Sequence, residues 1–317
     1  MSVAARALMR LAAPGGQRGL SILVWHRVLV QADPLLPSLP DPAGFERQLV
    51  ALRACCHVLP LVEAVARLRL GTLPPRAACI TFDDGYRDNA EVALPLLIKH
   101  RLPATFFIAS GFLDGGIMWN DVVIECVRQA RGAALDASGL GLGFLPLAGM
   151  AQRRAALTVL LERMKYLPLA ARDEAAGRLV LQTGACLPPA LMLDSSQVRA
   201  LRRAGMEIGA HTVDHPILRL LPLEEARRQI AWGRVQLEAL AGPVRLFAYP
   251  NGKPGIDYGP EHVALVRELG FDAAVTTAHG AGGSDLFQLP RFTPWDHAPL
   301  RFAARLARNL RAAAPLA

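Results

Sequence analysis

Short apolar runs that end on turn residues alternate along this chain with longer segments of helical period. The strand-like runs are Leu20–Trp25, Ala77–Phe82, Ala104–Ile108, Glu207–Ala210, Leu246–Ala248 and Ala273–Thr276, each short and bounded by turn residues. Helical spacing of apolar positions predicts helices over Asp41–Arg53, Leu61–Leu70, Ala90–His100, Ser195–Ala204, Leu223–Ala241 and Glu261–Leu269. Asp194-Ser195-Ser196 supplies a good N-cap cluster for one of these, and Gly205 its C-terminal stop. Strands alternating with helices predict parallel βα units, arranged as an open sheet or as a barrel. Between about 117 and 193 the rhythm breaks into a mostly helical, Ala- and Leu-rich stretch with a glycine-rich interruption at Gly139–Gly149. That stretch reads as an insertion in one βα connection, either a lid or binding element or structural padding.

The 317 residues would allow two domains of roughly 150 residues, but α/β barrels spend about 250 on one. We expect a single domain over 1–317, carrying the insertion at about 117–193 and a basic C-terminal helix at about 300–313. With 52% hydrophobic and 20% charged residues, intrinsic disorder is excluded. The formal charge of +8 raises nucleic acid and anionic membranes as partners. The charge is spread, however, without a block of like residues, and no nucleic-acid recognition motif is present. In the C-terminal helix, Arg301, Arg305, Arg308 and Arg311 mix with Phe302, Leu306 and Leu310. An ordinary surface helix is expected there, with peripheral membrane contact as the alternative.

No transmembrane segment is expected: the longest uncharged stretch, Ala137–Gln152, is interrupted by glycines and a proline and falls short of the ~18 apolar residues needed. The basic N-terminus lacks a sustained apolar run before a cleavage site, so no secretory signal is expected. Five cysteines, with Cys55 and Cys56 adjacent, suit a reducing compartment better than a disulfide framework, and Cys79 sits as a small hydrophobe in an apolar run. The location expected is cytoplasmic, with the inner face of the membrane as a variant of it.

Four segments carry candidate chemistry. Ile80-Thr81-Phe82-Asp83-Asp84-Gly85 puts two carboxylates at the C-terminal edge of a strand, where parallel α/β folds build their sites. Adjacent acids repel, and a metal ion is the usual compensation; a solvated turn is the plainer reading. Gly209-Ala210-His211-Thr212-Val213-Asp214-His215-Pro216 carries two imidazoles four positions apart, which on a helical turn would face one way as a metal pair. With Asp84 they make a two-His, one-carboxylate set suited to Zn²⁺ or another divalent ion. Phe247-Ala248-Tyr249-Pro250-Asn251-Gly252 and Leu289-Pro290-Arg291 are unremarkable alone.

In this order, with Leu23-Val24-Trp25-His26-Arg27 near the start, these segments resemble the polysaccharide deacetylase family, the NodB-homology domain of carbohydrate esterase family 4. The resemblance covers most of the chain outside the insertion, and the pairing of T-F-D-D-G with H-T-x-x-H is highly specific. It implies a distorted (β/α) barrel of seven strands. It implies that Asp83 is the general base that deprotonates the metal-bound water, and that Asp84, His211 and His215 are the ligands. Thr212 matches the small hydroxyl residue of the second motif, where it orients the turn. The resemblance also implies one divalent metal, zinc with nickel, cobalt or manganese as alternatives, and an oxyanion held by the metal and a backbone N–H that falls on Asn251.

The third motif departs from the family pattern. Where Arg-x-Pro-Tyr is usual, the chain reads Ala248-Tyr249-Pro250-Asn251, so the arginine that braces the catalytic aspartate is missing. The late Leu-x-His that supplies the general acid reads Leu289-Pro290-Arg291. Two repairs are expected: Arg291 braces Asp83, and His26 protonates the leaving amine, as in a branch of the family whose late motifs are rearranged to the N-terminus. A core histidine is the alternative for His26, and His297 is the other candidate acid. Tyr249, Pro250 and Trp119 are candidate substrate contacts; Trp119 and Trp295 either stack on a sugar or pack. Lys253 and Asp257 border the third motif, whereas His57 and His279 are expected to be structural or merely exposed.

The function expected is metal-dependent N-deacetylation of an N-acetylated sugar or polysaccharide precursor in exopolysaccharide or cell-envelope glycan metabolism. Hydrolysis of another non-peptide C–N bond and an inactive glycan-binding barrel are the alternatives.

Overall fold

The computed structural model describes residues 19–280, 285–294, 299–309 and 316–317. In chain order its elements are β1 (Leu20–Trp25), α1 (Pro42–Cys55), β2 (His57–Val58), α2 (Leu61–Arg69), β3 (Ala77–Phe82), α3 (Leu94–His100) and β4 (Thr105–Ile108). There follow α4 (Trp119–Gln129), β5 (Ala134–Asp136), β6 (Phe144–Pro146), α5 (Met150–Lys165), α6 (Leu169–Thr183), α7 (Ser195–Arg203) and β7 (Glu207–Ala210). The last are α8 (Leu223–Ala241), β8 (Leu246–Ala248), α9 (Pro260–Glu268), β9 (Ala273–Val275), β10 (Arg291–Phe292) and α10 (Pro299–Asn309).

Seven strands pair in the order β10-β1-β3-β4-β7-β8-β9, with β2 added beside β3, and every pairing is parallel. The ring nearly closes through one segment: Leu289 bridges Val275 of β9, and two residues later Arg291 and Phe292 pair with Ile22 and Leu23 of β1. The fold is therefore the α/β, seven-stranded (β/α) barrel expected. Side chains alternate across the strands, as a period of two demands. Leu20, Ile22, Ala77, Cys79, Phe107, Ala248, Val275 and Leu289 form one buried cluster, which Leu61, Ala64 and Val65 of α2 join. Leu23, Trp25, Ile80, Phe82, Phe106 and Phe247 belong to a second cluster with helix residues such as Phe45, Leu49 and Ile230. Here Phe82 stacks between Trp25 and Phe106, at centroid separations of 5.9 and 4.8 Å.

Local chemistry explains the helix starts. Asp41 accepts from Gly44 N at 2.6 Å ahead of Pro42, and Asp194 and Gln197 form a reciprocal capping box on α7. Pro60 offers no cap to α2. The Glu207 carboxylate, at the start of β7, accepts instead from Leu61 N and Val62 N and from the Thr105 hydroxyl. Burial pushes the Glu207 pKa up in spite of these donors.

The chain divides into two compact units. Among the described residues the first, made of 19–31, 39–114 and those from 192 onward, contains the barrel; the second is 32–38 with 115–191. The second has its own core, including Val123, Cys126, Val127, Leu135, Leu147, Leu160, Met164 and Leu179. Its glycine-rich stretch forms the antiparallel pair β5–β6, which the helical reading of that region did not anticipate. In α10 the apolar residues Phe302 and Leu306 are buried in the same cluster as Phe45 and Phe82, among strand and helix side chains, so they are not available to a membrane surface; residues 310–313 of the expected basic helix lie outside the described residues. Among the described residues no helix is long and apolar enough to cross a membrane.

Candidate active site

The site is assembled where strands end. β3 runs out at Phe82, and Asp83 N donates to Trp25 O at 2.9 Å, which sets Asp83 beside the end of β1 and hence beside His26. The chain then turns through Asp84 (φ 74°) and Gly85 (φ 89°). Only glycine fits at 85, because a Cβ there would lie 2.9 Å from Ile108 Cγ2. Asp83 is 2% exposed and Arg291 1%, and the two meet fork to fork: Nη1 to Oδ1 at 2.6 Å and Nη2 to Oδ2 at 2.5 Å. Arg291 is itself fixed by Nε donating to Thr276 O at 2.8 Å. Burial pushes the Asp83 pKa up, but the Arg291 guanidinium, with His211 and His26, outweighs it and holds the carboxyl below its usual range. The brace missing from the third motif is thus supplied geometrically from β10.

The two histidines reach one point without a helical turn, which corrects the expected geometry. Residues 211–215 form an irregular loop after β7, with Thr212 at φ 66° and His215 at φ 50°. A β-branched residue at such a φ is a genuine outlier. The Thr212 hydroxyl stabilises the loop, donating to His211 O at 2.5 Å and accepting from His215 N at 3.1 Å. The His211 and His215 rings lie 4.7 Å apart, centroid to centroid.

The residues fit a divalent cation. Because a carbonyl only accepts, the contact of His211 Nδ1 with Ala248 O at 2.7 Å makes Nδ1 the donor and leaves Nε2 to act as a ligand. The Nε2 atoms of His211 and His215 lie 3.5 and 3.4 Å from Asp84 Oδ1, longer than a good hydrogen bond. That buried oxygen has no hydrogen-bond partner. One ligand atom from each residue falls within 4.8 Å of the others, and a shared cation would satisfy all three. Burial raises the Asp84 pKa, but His211 and His215 more than reverse it, so the carboxylate is held well below its usual range. Burial lowers the His211 pKa, and Asp84 and Asp83 overturn that, drawing it upward.

His26 is exposed at the end of β1 and close enough to stabilise the anionic forms of Asp83 and Asp84. Asn89 Nδ2 donates to its carbonyl at 2.9 Å. Asn251 (φ 60°) tops the turn after β8, where its carbonyl accepts from the Thr277 hydroxyl at 2.6 Å. Its own N–H donates to no acceptor among the described residues. The substrate contact expected of Tyr249 is corrected: the side chain is fully buried, stacks on Tyr258 at 4.0 Å and donates to Phe287 O. Pro250 is buried as well. Trp119 belongs to the second unit, where the Arg172 guanidinium lies 5.0 Å from its ring centroid. Asp257 is buried and accepts from Lys253 N at 2.9 Å. His57 and His279 are exposed, and Trp295 and His297 lie outside the described residues.

The family model for polysaccharide deacetylases matches residues 71–135 and 160–274, more than half of the chain. The chain belongs to the polysaccharide deacetylase family. No curated protein sequence matches it significantly. Among solved structures, deacetylase PplD of Streptococcus pyogenes, in complex with acetate, is similar at 19% identity and a TM-score of 0.60, over 92% of this chain and 98% of that one. IcaB from Ammonifex degensii is similar at 21% identity and a TM-score of 0.58, over 93% and 98%. The BpsB deacetylase domain from Bordetella bronchiseptica is similar at 16% identity and a TM-score of 0.53, over 87% and 96%. These likenesses establish the fold, and family membership makes this polysaccharide deacetylase an N-deacetylase hydrolase.

Proposed function

We propose that this polysaccharide deacetylase removes N-acetyl groups from hexosamine units of an exopolysaccharide or cell-envelope glycan, with a divalent cation held by Asp84, His211 and His215. The observation that carries the reading is the juxtaposition of that ligand set with Asp83, a buried carboxylate kept anionic by Arg291. A cation there supplies a Lewis acid that polarises the acetyl carbonyl and makes a water acidic enough to ionise near neutral pH, zinc being the ion that best suits two imidazoles and one carboxylate.

The chain's own residues do the rest. Asp83 takes the proton of the attacking water, and Arg291 holds its carboxylate in one orientation and keeps it ionised. As the new C–O bond forms, the Asn251 N–H donates to the developing oxyanion. As the C–N bond breaks, His26 in its protonated form gives its proton to the leaving nitrogen, and acetate and a free amine result. The placement of His26 directly after β1, whose last residue Trp25 accepts from Asp83 N, supports its role as the acid.

The test pairs elemental analysis with acetate release from N-acetylglucosamine oligomers. One cation per chain, lost in His211→Ala, together with acetate release abolished in Asp83→Asn is the expected result. A wild type that takes up no divalent ion after reconstitution would refute the reading.

A further inference from the structure

One face of α8 is shaped around the histidine loop. Gln229, 7% exposed, accepts through Oε1 from Val213 N at 3.2 Å and Asp214 N at 2.9 Å, and donates through Nε2 to Asp214 Oδ2 at 2.7 Å. One turn further, a Cβ on Gly233 would lie 2.8 Å from the carbonyl carbon and oxygen of Thr212. Next along the same face, Gln236 accepts from the Ser110 hydroxyl at 2.8 Å. The backbone of 110–111 in turn donates to the loop, Ser110 N to Thr212 O and Gly111 N to Val213 O, at 3.2 and 3.0 Å. Positions 229, 233 and 236 follow the i, i+4, i+7 spacing of one helix stripe.

The loop has reason to need such a grip. Two of its non-glycine residues, Thr212 and His215, are left-handed, a conformation that persists only where the surroundings over-determine it. A glycine inside a helix weakens it relative to alanine. Gly233 lies mid-helix on α8, where it leaves room for the Thr212 peptide. We propose that the Gln229–Gly233–Gln236 face of α8 holds residues 211–215 in the ligand-presenting shape, with Gln229 the principal positioning residue for the cation site. This rests on the reading of Asp84, His211 and His215 as cation ligands.

The test is a Co²⁺ titration of chelator-stripped protein, followed by visible absorption, which reports both affinity and ligand geometry, alongside thermal unfolding of the stripped form. Gln229→Met keeps the side-chain length and removes all three hydrogen bonds. It is expected to weaken Co²⁺ binding about 10- to 100-fold, the range for partners that orient ligands, and to alter the spectrum of the folded protein. A role in packing alone would lower the unfolding midpoint and leave affinity and spectrum unchanged. Gln229→Glu should weaken binding through lost donation to Asp214. Adding Asp214→Asn should recover it by reversing the sense of that bond. Should Gln229→Met fail to fold, Asp214→Ala, at an exposed position, removes one of the three bonds and should weaken binding by a smaller factor. Folded variants with wild-type affinity and spectrum would overturn the inference. A wild type that takes up no Co²⁺ would refute the underlying reading and the inference with it.

Discussion

Replacing Arg291 by methionine tests the brace on Asp83 most directly. The side chains of the pair are 0% and 3% exposed, so solvent cannot take over either charge. Methionine fills much of the same volume and leaves Asp83 without the fork that holds both of its oxygens. Breaking a buried pair by removing one partner typically costs about 3–5 kcal/mol. The bond from Arg291 Nε to Thr276 O is lost as well, so the upper part of that range is expected. For 317 residues, an unfolding entropy of about 2.1 cal/mol/K per residue converts a loss of about 4–5 kcal/mol to a drop of about 6–7.5 °C in Tm. Arg291→Lys keeps the charge without the bidentate geometry and should fall between the two. Urea and thermal unfolding of chelator-treated protein measure the loss without interference from bound cation. In the double variant Asp83→Asn/Arg291→Met no charge is left unpaired, so it should be more stable than Arg291→Met alone. A loss in Arg291→Met below about 1 kcal/mol, the scale of an exposed ion pair, would refute the brace. A double variant less stable than Arg291→Met would refute it as well.

Other perturbations probe the barrel and the site separately. Gly209→Ala would place a methyl 2.4 Å from the Phe107 ring inside a packed cluster, and should cost about 1–3 kcal/mol in urea unfolding. Glu207 binds its proton more tightly folded than unfolded, so its contribution to stability falls as pH rises from 4.5 through its raised folded pKa. Between pH 4.5 and 7.5 the wild type should therefore lose more of its urea midpoint than Glu207→Gln, and equal slopes would contradict the assignment. His26→Ala should lower kcat for acetate release by roughly 10²–10⁴-fold, the range for a general acid, while cation content stays at the wild-type level. Loss of the cation in that variant would place His26 among the ligands instead.

Most of the fold is written locally. β1, β3, β7 and β8 span the strand-like runs read from the sequence, because strands buried on both faces are nearly continuous apolar runs, here interrupted only by Ser21, Thr81 and, at the first position of β7, Glu207. The pieces that escaped are short. The two-residue strands β2 and β10 owe their existence to neighbours, β3 for one and β1 for the other. The β5–β6 hairpin has Gly139, Gly141 and Gly143 between its strands, and that glycine content masked three-residue strands as a break between helices. Residues 89–93 coil as a π turn before α3, which helical periodicity cannot separate from an ordinary first turn.

The site divides along a different line. Asp83, Asp84, His211 and His215 are legible because the proposed chemistry needs those residue types at strand ends, and the order of the motifs does the rest. What holds them is harder to read. Arg291 could be found only through a deficit, since a carboxylate as deeply buried as Asp83 requires a cation and the third motif offers none. The left-handed backbone of Thr212 runs against the preference of a β-branched residue, so propensity argues away from the conformation the site uses. Gly233 did leave a signal. A glycine in the middle of the strongly helical 223–241 segment weakens that helix unless something must approach its backbone closely, and the approaching group is the Thr212 peptide. Gln229, one turn earlier on the same face, follows from it: a long amide facing a loop of exposed N–H groups is the residue able to accept from two of them and donate to a third partner. Helix α8 thus ties the position of the histidine loop to the barrel, and a family motif read by itself would have passed over that support.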